Sequence, residues 1–374
     1  MSKSILLIGS FSGENYGDTI VLKSLLEYLR GKGFSDIYIP AANPQKTKEV
    51  LDRYVDGVKI IYIDVNMRRT FGYRFFNINV LKVLNKVDFI ALTAGTIFFR
   101  DLTNPRRNFV FSVYLMSWIL RLFRVKTVGL FVGINEALDK FSGLKGIISR
   151  HFFRTFSHII TRDLESFSNL KKSIDRVKIS RSYDIAFYNL LCSSNHRVSL
   201  EKFNSENPIK TVGINVCEYL GKQVGQDVDE MVLANFLDQV CERFSTVLWF
   251  HTTKRDEDFV KQLISKTRLT HLSKGQHLSL YQDLTLEDYY KKINYFVGMR
   301  MHSLIPAISY RIPAIALNYN DKVKGLFTQL DGGHFVLDFD GLQNIDVSEV
   351  VKNGFLIRDE QRENIISNVN SIEI

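Results

Sequence analysis

Cysteine is scarce in this sequence: Cys192, Cys217 and Cys241 are the only three in 374 residues. They are too few and too scattered for a disulfide framework, and their spacing does not match a zinc site. Buried thiols in a reducing compartment are the expectation. Six prolines and 22 glycines exclude a collagenous or low-complexity chain. Long apolar runs are missing as well. The longest uncharged one, Phe109 to Leu120, falls short of the roughly 20 residues that span a bilayer. The opening MSKSILLIGSF carries one basic residue and a short apolar run, so it reads as a first strand and not as a secretory leader. A cytoplasmic protein without a membrane span is expected.

What is present has an ordinary globular balance, with 45% hydrophobic and 24% charged residues. The 28 Phe and 16 Tyr provide bulk for more than one core, and disorder is excluded on the same grounds. At roughly 100–200 residues per domain the length suggests two domains. The net charge of +9 is uneven. The first 200 residues are strongly basic and the remainder is slightly acidic. An anionic partner for the first half follows, whether nucleic acid, anionic lipid or acidic glycan. No RNA- or DNA-binding motif is present, so nucleic acid is not expected.

Short apolar runs alternate with helical periodicity. Ser4–Gly9, Asp36–Pro40, Asp88–Thr93, Lys126–Val132 and His158–Thr161 read as buried strands, and Thr19–Arg30 as a helix. The polar stretch Cys192–Lys210 reads as a linker. The alternation then restarts with strands at Thr211–Val216, Val247–Phe250, Tyr295–Val297, Ala314–Leu317 and His334–Leu337. Helices are expected at Asp229–Arg243 and Asp256–Lys266. The predicted fold class is α/β, with two Rossmann-like domains facing across a cleft (GT-B-type). The expected boundaries are 1–195 and 205–350, with a C-terminal helix in 351–374.

Chemistry is expected where strands hand over to helices. Gly9 to Asp18 (GSFSGENYGD) is a glycine-rich turn that suits an anion or a hydroxylated ligand at a helix N-terminus, with Asp18 as an alternative helix cap. It is neither GxGxxG nor a P-loop, so a nicotinamide dinucleotide is not supported. Gly298–Ser303 (GMRMHS) sets Arg300, His302 and Ser303 at a strand end, around one anion. Asn318–Lys324 adds Tyr319, Asp321 and Lys322 at another strand end. Thr93–Thr96, Thr161–Asp163 and Phe250–Arg255 also follow strands. An Arg-Asp pair such as Arg162–Asp163 is more often structural, and His251 is open between core and site. No metal site is expected.

Four segments together resemble the polysaccharide pyruvyl transferase family: NYGD (Asn15–Asp18), TRDLES (Thr161–Ser166), YDIAF (Tyr183–Phe187) and, most specific, GMRMHSLIPA…PAIALNYNDKV (Gly298–Val323). The resemblance spans about residues 5–330. It implies a GT-B-type transferase that moves the pyruvyl group of phosphoenolpyruvate onto sugar hydroxyls, forming a cyclic ketal, with no cofactor. By that resemblance Arg300, His302 and Lys322 belong to the donor site in the second domain, and Ser303 and Tyr319, at the same strand ends, are expected to join them. His302 would act as acid or phosphate ligand. Asn15, Gly17 and Asp18 match the family's N-terminal loop; from the residues themselves, Glu14, Asn15, Gly17, Thr96 and Glu136 are expected to bind the acceptor in the first domain, with Asp18 or Glu14 as base. Thr93-Ala-Gly95-Thr and Gly133-Ile-Asn-Glu136 depart from the family's usual glycine-rich and Gly-Pro segments.

Two stretches are basic and aromatic, Arg106–Lys126 and Lys145–His158. They read either as buried helices or as a peripheral face on the inner, anionic side of a membrane, which would suit a lipid-linked saccharide. Two alternatives to pyruvyl transfer stand beside it. One is a GT-B glycosyltransferase using a nucleotide sugar. The other is a non-catalytic glycan-binding protein. The oligomeric state is not readable from the sequence.

Overall fold

The structure is a computed structural model and describes residues 3–9, 11, 13–41, 43–51, 57–65, 78–93, 118–119, 121–123, 125–134, 143–193, 211–218 and 230–374. Seven strands form the first sheet: β1 Lys3–Ile8, β2 Phe34–Ala41, β3 Lys59–Asp64, β4 Phe89–Thr93, β5 Lys126–Val132, β6 His158–Thr161 and β7 Lys178–Arg181. Their order is β3-β2-β1-β4-β5-β6-β7, and each pairing is parallel. Six strands form the second sheet: β8 Thr211–Asn215, β9 Thr246–His251, β10 Gln276–Ser279, β11 Tyr295–Gly298, β12 Ala314–Leu317 and β13 Val336–Leu337. Their order is β10-β9-β8-β11-β12-β13, again all parallel. Helices separate the strands in sequence. Two Rossmann-like sheets make the GT-B-type fold.

The central strands are apolar runs because helices cover both faces of a parallel sheet. In β5 every residue after Lys126 is buried, and β11 and β12 are buried throughout. The first core gathers Leu6, Ile8, Ile90, Leu92, Phe152 and Phe153. The second gathers Ile214, Leu237, Trp249, Val297 and Ile315. The sheet edges are β3, β7, β10 and β13, and two of them, KISR in β7 and QHLS in β10, lack an apolar run and are mostly half-exposed. An edge strand buries too little to demand an apolar run. In β5, Phe131 sits at φ 53° where the register to β6 slips between Gly129 and Val132, the local distortion of a β-bulge.

The chain divides into two compact units. The first holds Met1–Gly13, Asp18–Asn189 and Ser367–Ile374; the second holds Glu14–Gly17 and Leu190–Ile366. The expected linker lies mostly outside the described residues. The C-terminal helix runs Asp359–Ser371, and the tail from Ser367 belongs to the first unit for visible reasons. Tyr28 and Lys32 donate to the Ile372 and Asn370 carbonyls at 3.1 and 2.8 Å. Ser182 and Tyr188 donate to the amide oxygens of Asn368 and Asn370 at 2.8 and 3.1 Å.

Candidate functional site

In the second sheet the chain runs outward from β8 to β9 and β10, then returns to place β11 on the other side of β8. The β8/β11 boundary is therefore the topological switch point, where open α/β sheets bind ligands beyond the strand carboxyl ends. Three residues meet there. Asn215, fully buried at the end of β8, donates from Nδ2 to the Phe250 carbonyl at 2.7 Å. Its Oδ1 accepts from the Arg300 backbone N–H at 3.1 Å and from Ser303 Oγ at 2.8 Å. The end of β8 is thus tied to β9 and to the loop after β11.

Arg300 is the N-cap of helix Met301–Ser309. Its guanidinium is held by Asp256, with Nε donating to Oδ2 at 2.8 Å and Nη2 to Oδ1 at 2.6 Å. Asp256 is fully buried and also accepts from Thr252 Oγ1 at 2.6 Å. A bidentate bond to a buried carboxylate balances the arginine charge and fixes its plane. The helix itself then presents its N-terminal N–H groups and dipole at the switch point.

His302 is the second residue of that helix, and Gly17 lies on its imidazole. A Cβ added at Gly17 would fall 2.9 Å from the ring Cγ and closer to Nδ1. Asn15 Oδ1 accepts from the Gly17 N–H at 2.9 Å, so Asn15 and not Asp18 caps helix Tyr16–Gly31. Tyr16 is fully buried. Burial, with Glu287 adding to it, holds its phenol well above the usual tyrosine pKa. Ser303 is buried and bonded to Asn215 and to the Arg300 carbonyl. Tyr319 and Lys322 are half-buried around the start of helix Asp321–Gln329, and Asn320 Oδ1 caps that helix by accepting from the Lys322 N–H at 3.0 Å.

The expected acceptor group is divided. Glu14, Asn15 and Gly17 count with the second unit and Asp18 with the first. Asp18 lines a small hollow with Phe11, Gly13, Thr19, Leu22 and Thr47. Thr96 and Glu136 lie outside the described residues. Arg162 is buried between Asp163 and Asp184, at 3.4 and 3.6 Å, as a structural pair would be. His251 Nε2 lies 2.8 Å from His277 Nδ1. Burial, then the neighbouring His277, lowers the His251 pKa to about 4.

Asn215, Thr252, Asp256 and Tyr16 are absent from the expected site. Asn215 had a signal, a lone amide ending an apolar strand. Asp256 was masked by its context, because Thr253-x-x-Asp256 reads as a helix start. Thr253 does cap helix Lys254–Thr267, while the Asp256 carboxylate turns to Arg300.

The sequence profile of the family "Polysaccharide pyruvyl transferase" matches residues 15–321. The chain belongs to the polysaccharide pyruvyl transferase family. No curated protein matches the sequence. Among solved structures, UDP-GlcNAc 2-epimerase from Methanocaldococcus jannaschii is similar at 14% identity over 99% of this chain and 98% of that one, with a TM-score of 0.61. HepE of Anabaena in complex with UDP and glucose has 14% identity over 99% and 94% of the two chains, with a TM-score of 0.55. MnaA of S. aureus with UDP has 10% identity over 98% and 91%, with a TM-score of 0.56. At such identity the likeness establishes the fold.

These comparisons correct the expectation of phosphoenolpyruvate as donor and partner and of pyruvyl transfer as the reaction. These three structural relatives are bound to UDP or named for a UDP-sugar. Arg300, expected to hold the anion, is paired with Asp256. Family membership describes descent here, and chemistry must be argued from the site.

Proposed function

We propose that this protein is a GT-B-type enzyme that uses a nucleotide sugar, with the diphosphate held by the second unit. The observation that carries this reading is the N-terminus of helix Met301–Ser309 opening at the β8/β11 switch point, braced by Asn215 and Asp256. Backbone N–H groups at such a position receive a diphosphate without needing an unbalanced cation. The UDP bound in structures of the same fold supports a uridine nucleotide.

In glycosyl transfer the bond from the anomeric carbon to the diphosphate oxygen breaks, and a bond to an acceptor hydroxyl oxygen forms. Negative charge grows on the departing UDP. The helix N-terminus and Lys322 stabilise it, and His302 donates a hydrogen bond or a proton to it. The acceptor hydroxyl gives its proton to a carboxylate, for which Glu14, in the same unit as His302, is the candidate.

A thermal-shift panel of UDP, GDP, ADP and dTDP tests the class. UDP is expected to raise the melting temperature more than the others, in line with mass-action stabilisation. No shift with any nucleoside diphosphate would overturn it. Conversion of a bound UDP-sugar to its epimer without an acceptor would replace transfer by epimerisation.

No helix among the described residues is long and apolar enough to cross a membrane. We propose that the first unit meets an anionic membrane at its periphery. Trp118, Leu122 and Ile147 are large apolar side chains left 50%, 78% and 60% exposed. Trp118 packs against His151, ring centroids 5.8 Å apart, and Arg121 and Arg154 lie near enough to depress the His151 pKa further after burial has lowered it. Arg154 also pairs with Asp175 at 3.1 Å. Exposed apolar side chains rimmed by cations suit an anionic interface. Co-sedimentation with phosphatidylglycerol vesicles is expected at low salt and lost in Trp118→Ser/Leu122→Ser; no binding at low salt would contradict it.

A further inference from the structure

We propose that Asn15–Gly17 is a positioning element for His302, anchored by the buried side chain of Tyr16. The inference deepens the proposed function and rests on it for the role of His302. It moves Asn15 and Gly17 from expected acceptor contacts to supports of a residue on the donor side.

Two paths lead from this segment to the same helix. The first is direct contact. Gly17 presents its bare Cα to the imidazole, and any Cβ would enter the ring. The ring therefore has a wall on that side, and its tilt is set by the backbone of Gly17. Asn15 holds that backbone through its 2.9 Å bond to the Gly17 N–H.

The second path runs through hydrogen bonds. The Tyr16 N–H donates to the Thr252 carbonyl at 2.9 Å. Thr252 Oγ1 donates to Asp256, and Asp256 holds Arg300 at the head of the His302 helix. The Tyr16 ring completes the anchorage. It is fully buried, within electrostatic reach of Tyr290 and Tyr310, and Tyr290 donates to the carbonyl of Ser303, next to His302, at 3.0 Å. The Tyr16 hydroxyl has no hydrogen-bond partner among the described residues. Tyr16 thus anchors by shape and not by its polar atom.

The test reads the His302 ring directly, by ¹⁵N NMR of histidine-labelled protein, with His302→Asn to assign the signal. Gly17→Ala and Tyr16→Ala are expected to shift the His302 ring resonances. Tyr16→Phe is expected to leave them in place, because only packing is used. Should Gly17→Ala fold poorly, melting temperatures carry the test. The loss caused by Gly17→Ala is expected to shrink by at least half when His302→Ala removes the ring it strikes. Unmoved His302 signals in both Ala variants, or additive losses in the double variant, would overturn the proposal. So would a Tyr16→Phe that behaves like Tyr16→Ala. None of these readouts needs a nucleotide, so failure of UDP to bind is a separate result.

Discussion

Asp256 grips Arg300 through two hydrogen bonds of 2.6 and 2.8 Å, and the carboxylate is fully buried while the arginine side chain is 18% exposed. The pair joins the first turn of helix Lys254–Thr267 to the cap of helix Met301–Ser309. A residue that looks in sequence like the anion anchor is thus the brace of the helix that would receive the anion.

Removing one partner of a buried ion pair leaves the other uncompensated, which typically costs about 3–5 kcal/mol. Asp256→Ala is expected to lose stability on that scale in urea unfolding. Asp256→Leu combined with Arg300→Met is expected to recover a large part of it. A loss below about 1 kcal/mol for Asp256→Ala, the range of an exposed pair, would show that the pair does not brace the site.

Stability is expected to fall as pH drops from 6.5 toward 4. The His251 pKa is lowered to about 4 by burial and by His277, against about 6.5 in an unfolded chain. Between those values the unfolded state binds the extra proton, so its relative stability rises as pH falls. The scale is on the order of 2 kcal/mol. Glu257 adds a second, more acidic window. Burial pushes its pKa up, but hydrogen bonds from Lys261, Tyr281 and Ser279 outweigh that and bring it to about 2. Its contribution is present above the unfolded carboxylate value and is lost below it. Denaturant melts at pH 7, 5.5 and 4.5 should show the first slope, and His251→Asn should flatten it; an unchanged slope in the variant would assign it elsewhere.

Deleting residues 367–374 is expected to loosen the first unit, although the deletion lies at the far end of the chain. It removes hydrogen-bond partners of Tyr28, Lys32, Ser182 and Tyr188, and it takes away the buried side chains of Val369 and Ile372. Two buried aliphatic side chains alone represent several kcal/mol. Limited proteolysis should cut the first unit sooner; an unchanged digestion pattern would mean that the tail merely rests there.

Lys322→Ala is expected to weaken UDP binding roughly tenfold, about 1.4 kcal/mol, and to reduce its dependence on salt. Displacement of a fluorescent nucleotide across a salt series checks both. Equal affinity and equal salt slope would remove Lys322 from the diphosphate site.

Much of the fold was legible because its central strands are apolar runs. The expected Lys126–Val132, His158–Thr161 and Ala314–Leu317 coincide with β5, β6 and β12. Edge strands β7 and β10 were not legible, since KISR and QHLS carry no such run. In the candidate site, the strand ends that hold a cation or an imidazole, at Arg300 and His302, stood out in the sequence. Their supports did not. Asn215 and Asp256 act across 85 and 44 residues of sequence on Arg300, and no local spacing reports such a pairing. Tyr16 looked like loop because its burial depends on residues near 290 and 310. The donor was misjudged for a related reason: residue types at the strand ends suit any phosphate, that of a sugar nucleotide as well as that of phosphoenolpyruvate.

Calorimetric titration of the protein with UDP-glucose, UDP-GlcNAc and phosphoenolpyruvate, without added metal, measures the donor class directly. Saturable binding of a UDP-sugar, with no heat from phosphoenolpyruvate, is the expected result. Saturable binding of phosphoenolpyruvate with none of either UDP-sugar would contradict a nucleotide-sugar enzyme.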